Sequence, residues 1–174
     1  MNRTLTAGIV GLAVVAAACG SGSSVTDTAG AGTKGGKHVP VAVKVGQQIK
    51  VDSESLAATY TLSDAQTRAT SQYGGQAENG IYLLAHLRID VAKGETYACA
   101  CELSLVQADG KVRDSTFASF SGKEDFQPVQ LKGGQHQDGW VTWDLPKAAL
   151  KGAKVQLKVQ ELFSDSEYGY WTVG

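Results

Sequence analysis

Residues 81–91 read IYLLAHLRIDV. Ile81, Leu83, Ala85, Leu87, Ile89 and Val91 fall on one side of an extended chain, and Tyr82, Leu84, His86, Arg88 and Asp90 on the other. Successive side chains of a strand point to opposite faces, so a period of two sustained this long selects a half-buried strand of an antiparallel sheet. Residues 153–160, AKVQLKVQ, follow the same rule, with Val155, Leu157 and Val159 inward and Lys154, Gln156, Lys158 and Gln160 outward. Further strands are expected at 39–45, 48–51, 57–62, 101–106, 112–117, 139–143 and 168–173. Turn signals lie between them at Lys93-Gly94, Asp109-Gly110 and Gly133-Gly134. Of these, residues 107–110 form the strongest, because glycine readily takes the positive φ of a tight hairpin. Only Pro146–Leu150 reads as helix, with proline at its start and Gly152 as a stop, enough for about one turn. Many short strands with no longer helix predict an all-β sandwich over residues 39–174.

The N-terminal segment has a different character. Met1 to Thr4 carries one positive charge, and Leu5 to Ala18 is uncharged and ends in Ala16-Ala17-Ala18-Cys19-Gly20. A membrane-spanning helix needs about 20 apolar residues, so this run is too short and matches the core of a signal peptide, residues 1–18. Small residues before a cysteine resemble a bacterial lipobox, with Ala16 standing where leucine is usual. Cleavage between Ala18 and Cys19 would leave Cys19 as a diacylglycerol-bearing N-terminus. Ordinary cleavage after Ala18 would instead leave a secreted protein with a free thiol. Residues 20–38, GSGSSVTDTAGAGTKGGKH, contain no aromatic and too little apolar surface to offset their ordering entropy. Residues 19–38 are therefore expected to be a lipidated cysteine followed by a flexible tether, with a coil length of roughly 22–26 Å. This places the protein on the extracytoplasmic side of the cell membrane, held there by lipid.

Composition narrows the partners. The formal charge is −1, from 16 Lys+Arg and 17 Asp+Glu, so there is no basic excess to neutralise phosphates and nucleic acid is not expected as a partner. The 3 histidines and 1 methionine leave few ligands for a transition-metal centre. No cofactor is expected.

The stretches Val45-Gly46-Gln47, Leu103–Gly110, Leu131–Gln135, Gly139–Pro146 and Tyr170-Trp171 occur in an order that resembles the immunoglobulin-like domain of unknown function of Gram-positive, actinobacterial lipoproteins. That domain is similar in fold to a secreted mycobacterial immunoprotective antigen. The resemblance covers nearly all of residues 44–174 and implies an immunoglobulin-like antiparallel β-sandwich. It carries no established catalytic residues, so it implies none here, and residues 92–101 depart from its pattern.

Several residues are candidates for chemistry. Cys99-Ala100-Cys101 either forms a disulfide, which requires a bulge or turn at Ala100, or places two small side chains on one strand face. Residues i and i+2 of a strand lie about 6.5–7 Å apart, whereas bridged Cβ atoms lie near 3.8 Å. Metal binding by the pair would need further ligands that the neighbouring sequence lacks. His86 with Arg88 and Asp90 is either a base oriented by a carboxylate or a solvated sheet face. No Gly-x-Ser-x-Gly elbow occurs, so a hydrolase has no visible nucleophile and the protein is expected not to be an enzyme. Glu161, Asp165, Ser166 and Glu167 lack the spacing of a calcium loop. Trp140, Trp143 and Trp171 are either a carbohydrate platform or core. Residues 68–80, RATSQYGGQAENG, lack strand pattern, and Tyr73, flanked by Gln72 and Gln76, is their only aromatic. Binding residues concentrate on loops of rigid scaffolds. The expected function is thus a non-catalytic, membrane-anchored module that binds an extracytoplasmic protein or envelope component. A module for a small ligand, carbohydrate or metal ion, is the alternative.

Overall fold

The computed structural model describes residues 24–27, 41–159 and 167–173. The predicted signal peptide, Ala18 and Cys19 lie outside the described residues, as do Glu161, Asp165 and Ser166. Two five-stranded sheets form the sandwich. One has the order β1 (Ser24–Asp27), β3 (Gln48–Asp52), β4 (Ala57–Arg68), β5 (Ile81–Lys93) and β10 (His136–Leu145). The other has the order β2 (Val41–Lys44), β12 (Glu167–Thr172), β11 (Lys154–Val159), β7 (Leu103–Val106) and β8 (Val112–Asp114). A separate ribbon pairs β6 (Glu95–Ala98) with β9 (Val129–Lys132). Among the described residues the helical content is two 3-10 turns, Ala100–Glu102 and Lys147–Leu150, the second directly after Pro146. The chain is an all-β sandwich, antiparallel except where β2 runs parallel to β12.

The alternation read from the sequence is the alternation that builds the core. Leu83, Ala85, Leu87, Ile89 and Val91 of β5 are buried together with Ile49, Tyr60 and Leu62 of the same sheet. Val43, Leu105, Val155, Leu157 and Trp171 meet them from the opposing sheet. Trp171 is fully buried and its indole N–H donates to the Gln47 carbonyl at 2.9 Å, so the one polar atom of that ring is satisfied.

Five expectations are corrected. Tyr82 and Leu84, assigned to the outer face, are buried. The chain between β8 and β9 crosses that face as a strap: Phe120 packs on Tyr82 with ring centroids 5.5 Å apart, and Ala77, Ala118 and Trp140 border the cluster. Second, the strand expected at 57–62 runs on to Arg68 through a bulge between Ser63 and Gln66, where Asp64 has φ 51°. Third, β6 and β9 were not expected; their exposed positions (Glu95, Tyr97, Val129 and Gln130) hide the alternation in so short a run. Fourth, the expected tether contains β1, paired antiparallel to β3 in the register Ser24↔Asp52 to Asp27↔Ile49. Composition argued for disorder, but the unpaired edge of β3 offers backbone partners, and the β-branched Val25 and Thr26 suit a strand. The strands expected at 101–106 and 112–117 are also shortened, to Leu103–Val106 and Val112–Asp114, because a 3-10 turn and the strap take the remaining residues.

The strap is possible because of one glycine. A Cβ on Gly139 would stand 2.5 Å from Phe126 Cα, so only glycine lets the strap backbone lie against β10. There the Phe126 N–H donates to the Trp140 carbonyl at 2.9 Å and the Trp140 N–H to the Glu124 carbonyl at 2.8 Å.

Candidate functional site

The segment predicted as a binding loop, 68–80, joins the far ends of β4 and β5. It is a closed structure. Thr70 bridges Gln76, the Ser71 N–H donates to the Gly75 carbonyl at 2.8 Å, and the Gly74 N–H donates to the Ser71 carbonyl at 3.1 Å. Two anchors hold it to the sandwich. The Tyr82 hydroxyl donates to the Gln76 carbonyl at 3.1 Å. The Asp144 carboxylate at the end of β10 accepts the Glu78 N–H at 2.7 Å and the Asn79 N–H at 3.0 Å.

Tyr73 stands on the tip of this loop, 85% exposed, with Gln72 and Gln76 also exposed. The Gln72 N–H donates to the Ser119 carbonyl of the strap at 2.8 Å, so loop and strap adjoin. Two residues before Ser119 lies Phe117, 96% exposed. A solvated phenylalanine and a solvated tyrosine thus stand on adjoining backbone segments, with Tyr82 and Phe120 buried beneath them. Phe117 was not singled out from the sequence. Its signal was there, since Ser115-Thr116-Phe117-Ala118-Ser119 sets one aromatic among small residues much as the loop does around Tyr73.

The other candidates separate. Cys99 and Cys101 are joined in a disulfide with Cα atoms 5.0 Å apart. The 3-10 turn at Ala100–Glu102 brings them closer than a strand would, and the Cys101 N–H donates to Cys99 Sγ at 3.0 Å. His86 does not use Asp90. Asp90 accepts from Arg88, with Nη2 to Oδ1 at 2.7 Å, while His86 Nε2 lies 3.1 Å from Asp138 Oδ2 on β10. Ser63 is opposite His86 in register, but its hydroxyl donates to Asp64 Oδ2 at 3.0 Å. The row of serine, imidazole and carboxylate is therefore not connected as a proton relay. Trp143 and Trp171 are fully buried, and Lys123 Nζ sits 3.3 Å from the ring centroid of the half-buried Trp140. That ammonium, whose pKa burial lowers, occupies a ring face a sugar would need. Among the described residues no group of three His, Cys, Asp or Glu could hold a metal ion. A depression of about 300 Å³ is lined by Ala65, Gln66, Thr67, Leu83, Leu150, Lys151 and Val173, without a convergent set of polar groups.

One buried polar pair was also missed. Tyr60 Oη and Glu102 Oε2 are both buried and neither makes a hydrogen bond of good geometry among the described residues. They are nevertheless close enough to couple. Burial pushes the Glu102 carboxyl up to about 8 and, aided by the Glu102 charge, raises the Tyr60 hydroxyl well above its usual value.

No protein-family profile and no curated protein sequence matches this chain. Solved structures do. A secreted protein of Mycobacterium tuberculosis, MPT63, aligns with a TM-score of 0.56 at 12% identity, over 76% of this chain and 97% of its own. The fold is shared. A predicted lipoprotein of Bacillus subtilis aligns with a TM-score of 0.47 at 15% identity, over 69% of this chain and 38% of its own. A functionally unknown protein of Listeria monocytogenes aligns with a TM-score of 0.49 at 15% identity, over 85% and 86%.

Proposed function

We propose that this protein is a non-catalytic, lipid-anchored extracytoplasmic module that binds a protein or envelope component through the Tyr73 loop and the Phe117 strap. The observation that carries this reading is the pair of exposed aromatics on adjoining, internally hydrogen-bonded loops. Rigid aromatic area bounded by glycine and small polar side chains is the composition of adaptable binding loops, and fixed backbone lowers the entropy lost on binding. The near-neutral charge provides little long-range steering, so recognition rests on shape and local contact. The sandwich shared with a secreted mycobacterial protein supports an extracytoplasmic location. Absence of a connected nucleophile and base among the described residues supports a non-catalytic role. The carbohydrate alternative loses its tryptophan platform, and the metal alternative loses both thiolates to the disulfide.

The test is crosslinking and pull-down from intact cells with Tyr73→Ala combined with Phe117→Ala. Both side chains are exposed, so stability should move by no more than about 0.5 kcal/mol, while crosslinked partner is lost. Undiminished capture would place the site elsewhere.

A further inference from the structure

The pairing of β1 has a consequence for how the domain is displayed. Ser24 pairs with Asp52, Asp52 with Ala57, and Ala57 with Lys93. These residues lie at one end of the first sheet. Its other end is formed by Arg68↔Tyr82 and Ile81↔Leu145, from which the Tyr73 loop projects. The two ends are separated by the length of β5, Ile81–Lys93, about 40 Å at some 3.3 Å per residue.

Only Gly20 to Ser23 separate Cys19 from the first paired residue. At no more than about 3.6 Å per residue, that link reaches at most about 18 Å. Were the chain free as far as Val41, the next paired residue in the described structure, the reach would be about 80 Å. The difference decides between a domain that tumbles on a long leash and one held by one end.

We infer that the Ser24 end, with its turns at 53–56, 93–95 and 133–135, is held against the outer surface of the membrane, and that Tyr73 and Phe117 face away from it. The inference rests on the reading of Cys19 as the lipid-bearing residue. The near end carries balanced charge, Lys93 and Lys132 with Glu54 and Glu95, as a headgroup surface requires, and Ala92 and Tyr97 are exposed next to the 93–95 turn. Tyr73 and Phe117 are then directed to partners beyond the membrane rather than to lipid.

The experiment uses the full lipidated protein in vesicles of phosphatidylethanolamine and phosphatidylglycerol containing a lipid with a nitroxide on its headgroup. A fluorophore is placed on Glu54→Cys or on Asn79→Cys, both exposed positions, with the Cys99–Cys101 disulfide left closed. Quenching should be several-fold stronger at position 54 than at 79. Val25→Pro with Thr26→Pro removes the strand's backbone donors at both alternating positions and should abolish that difference. Flotation of the vesicles separates the two premises. Protein that does not float refutes the lipid anchor, and the inference with it. Protein that floats but is quenched equally at both positions, or whose asymmetry survives the double proline, leaves the anchor intact and overturns the orientation.

Discussion

At Glu102 burial alone raises the carboxyl to about 8, against an ordinary value of 4.5, while a contact with Tyr60 works in the opposite direction. The folded state therefore holds a proton that the unfolded chain releases between those two values. Stability contributed by the protonated group is complete below about pH 4.5 and is lost as pH rises through about 8. The full shift corresponds to a loss of at most about 5 kcal/mol. Glu102→Gln removes the charge and keeps the shape. Urea denaturation from pH 4 to 9 should show a falling midpoint for the wild type and a much flatter profile for the variant. A wild-type profile as flat as that of Glu102→Gln would mean that the carboxyl is solvated in the native protein.

Among the elements, the strap from β8 to β9 decides most about the surface, because it turns an outer sheet face into a second small core under Phe120. Its seat depends on Gly139. Alanine there must displace the Phe126 backbone, for which no flexible side chain can give way. Gly139→Ala should therefore destabilise by about 1–3 kcal/mol, in the range of overpacked interiors, read from chemical denaturation. It should also expose Tyr82 and Phe120 to solvent. An unchanged midpoint would show that strap and strand are not held so closely. The disulfide belongs to this scale too, since it fastens a turn between two elements that the core already positions.

For the whole molecule, the arrangement is a sandwich with Ser24 at one end and the exposed Tyr73 and Phe117 at the other. The lipid proposed at Cys19 would make that polarity useful. Cys19→Ser should shift the protein from the detergent phase to the culture medium in a phase-partition assay. A wild type already found in the aqueous phase would contradict the anchor. Folding is not expected to depend on the lipid, because the core draws its residues from Val43 to Trp171.

The sequence by itself determined the class of fold. In β5 and β11 a period of two is dictated by the pleat of a single strand, so the inward residues of 81–91 and 153–160 could be named without knowing their neighbours. The same locality made the one-turn helix after Pro146 and the need for a turn at Ala100 legible. Tertiary structure decided everything that depends on what lies across a gap. Tyr82 and Leu84 are buried because a distant strap covers them, and β1 forms because β3 has a free edge. His86 meets Asp138 rather than Asp90 because β10 lies beside β5, and Glu102 is shielded together with Tyr60 although they are far apart in the chain. Of the candidate site, Tyr73 was visible as a lone aromatic in a patternless loop. Its companion Phe117 carries the same local signal, but that the two segments adjoin is decided by tertiary contacts, the hydrogen bond from Gln72 to Ser119 and the cluster under Phe120.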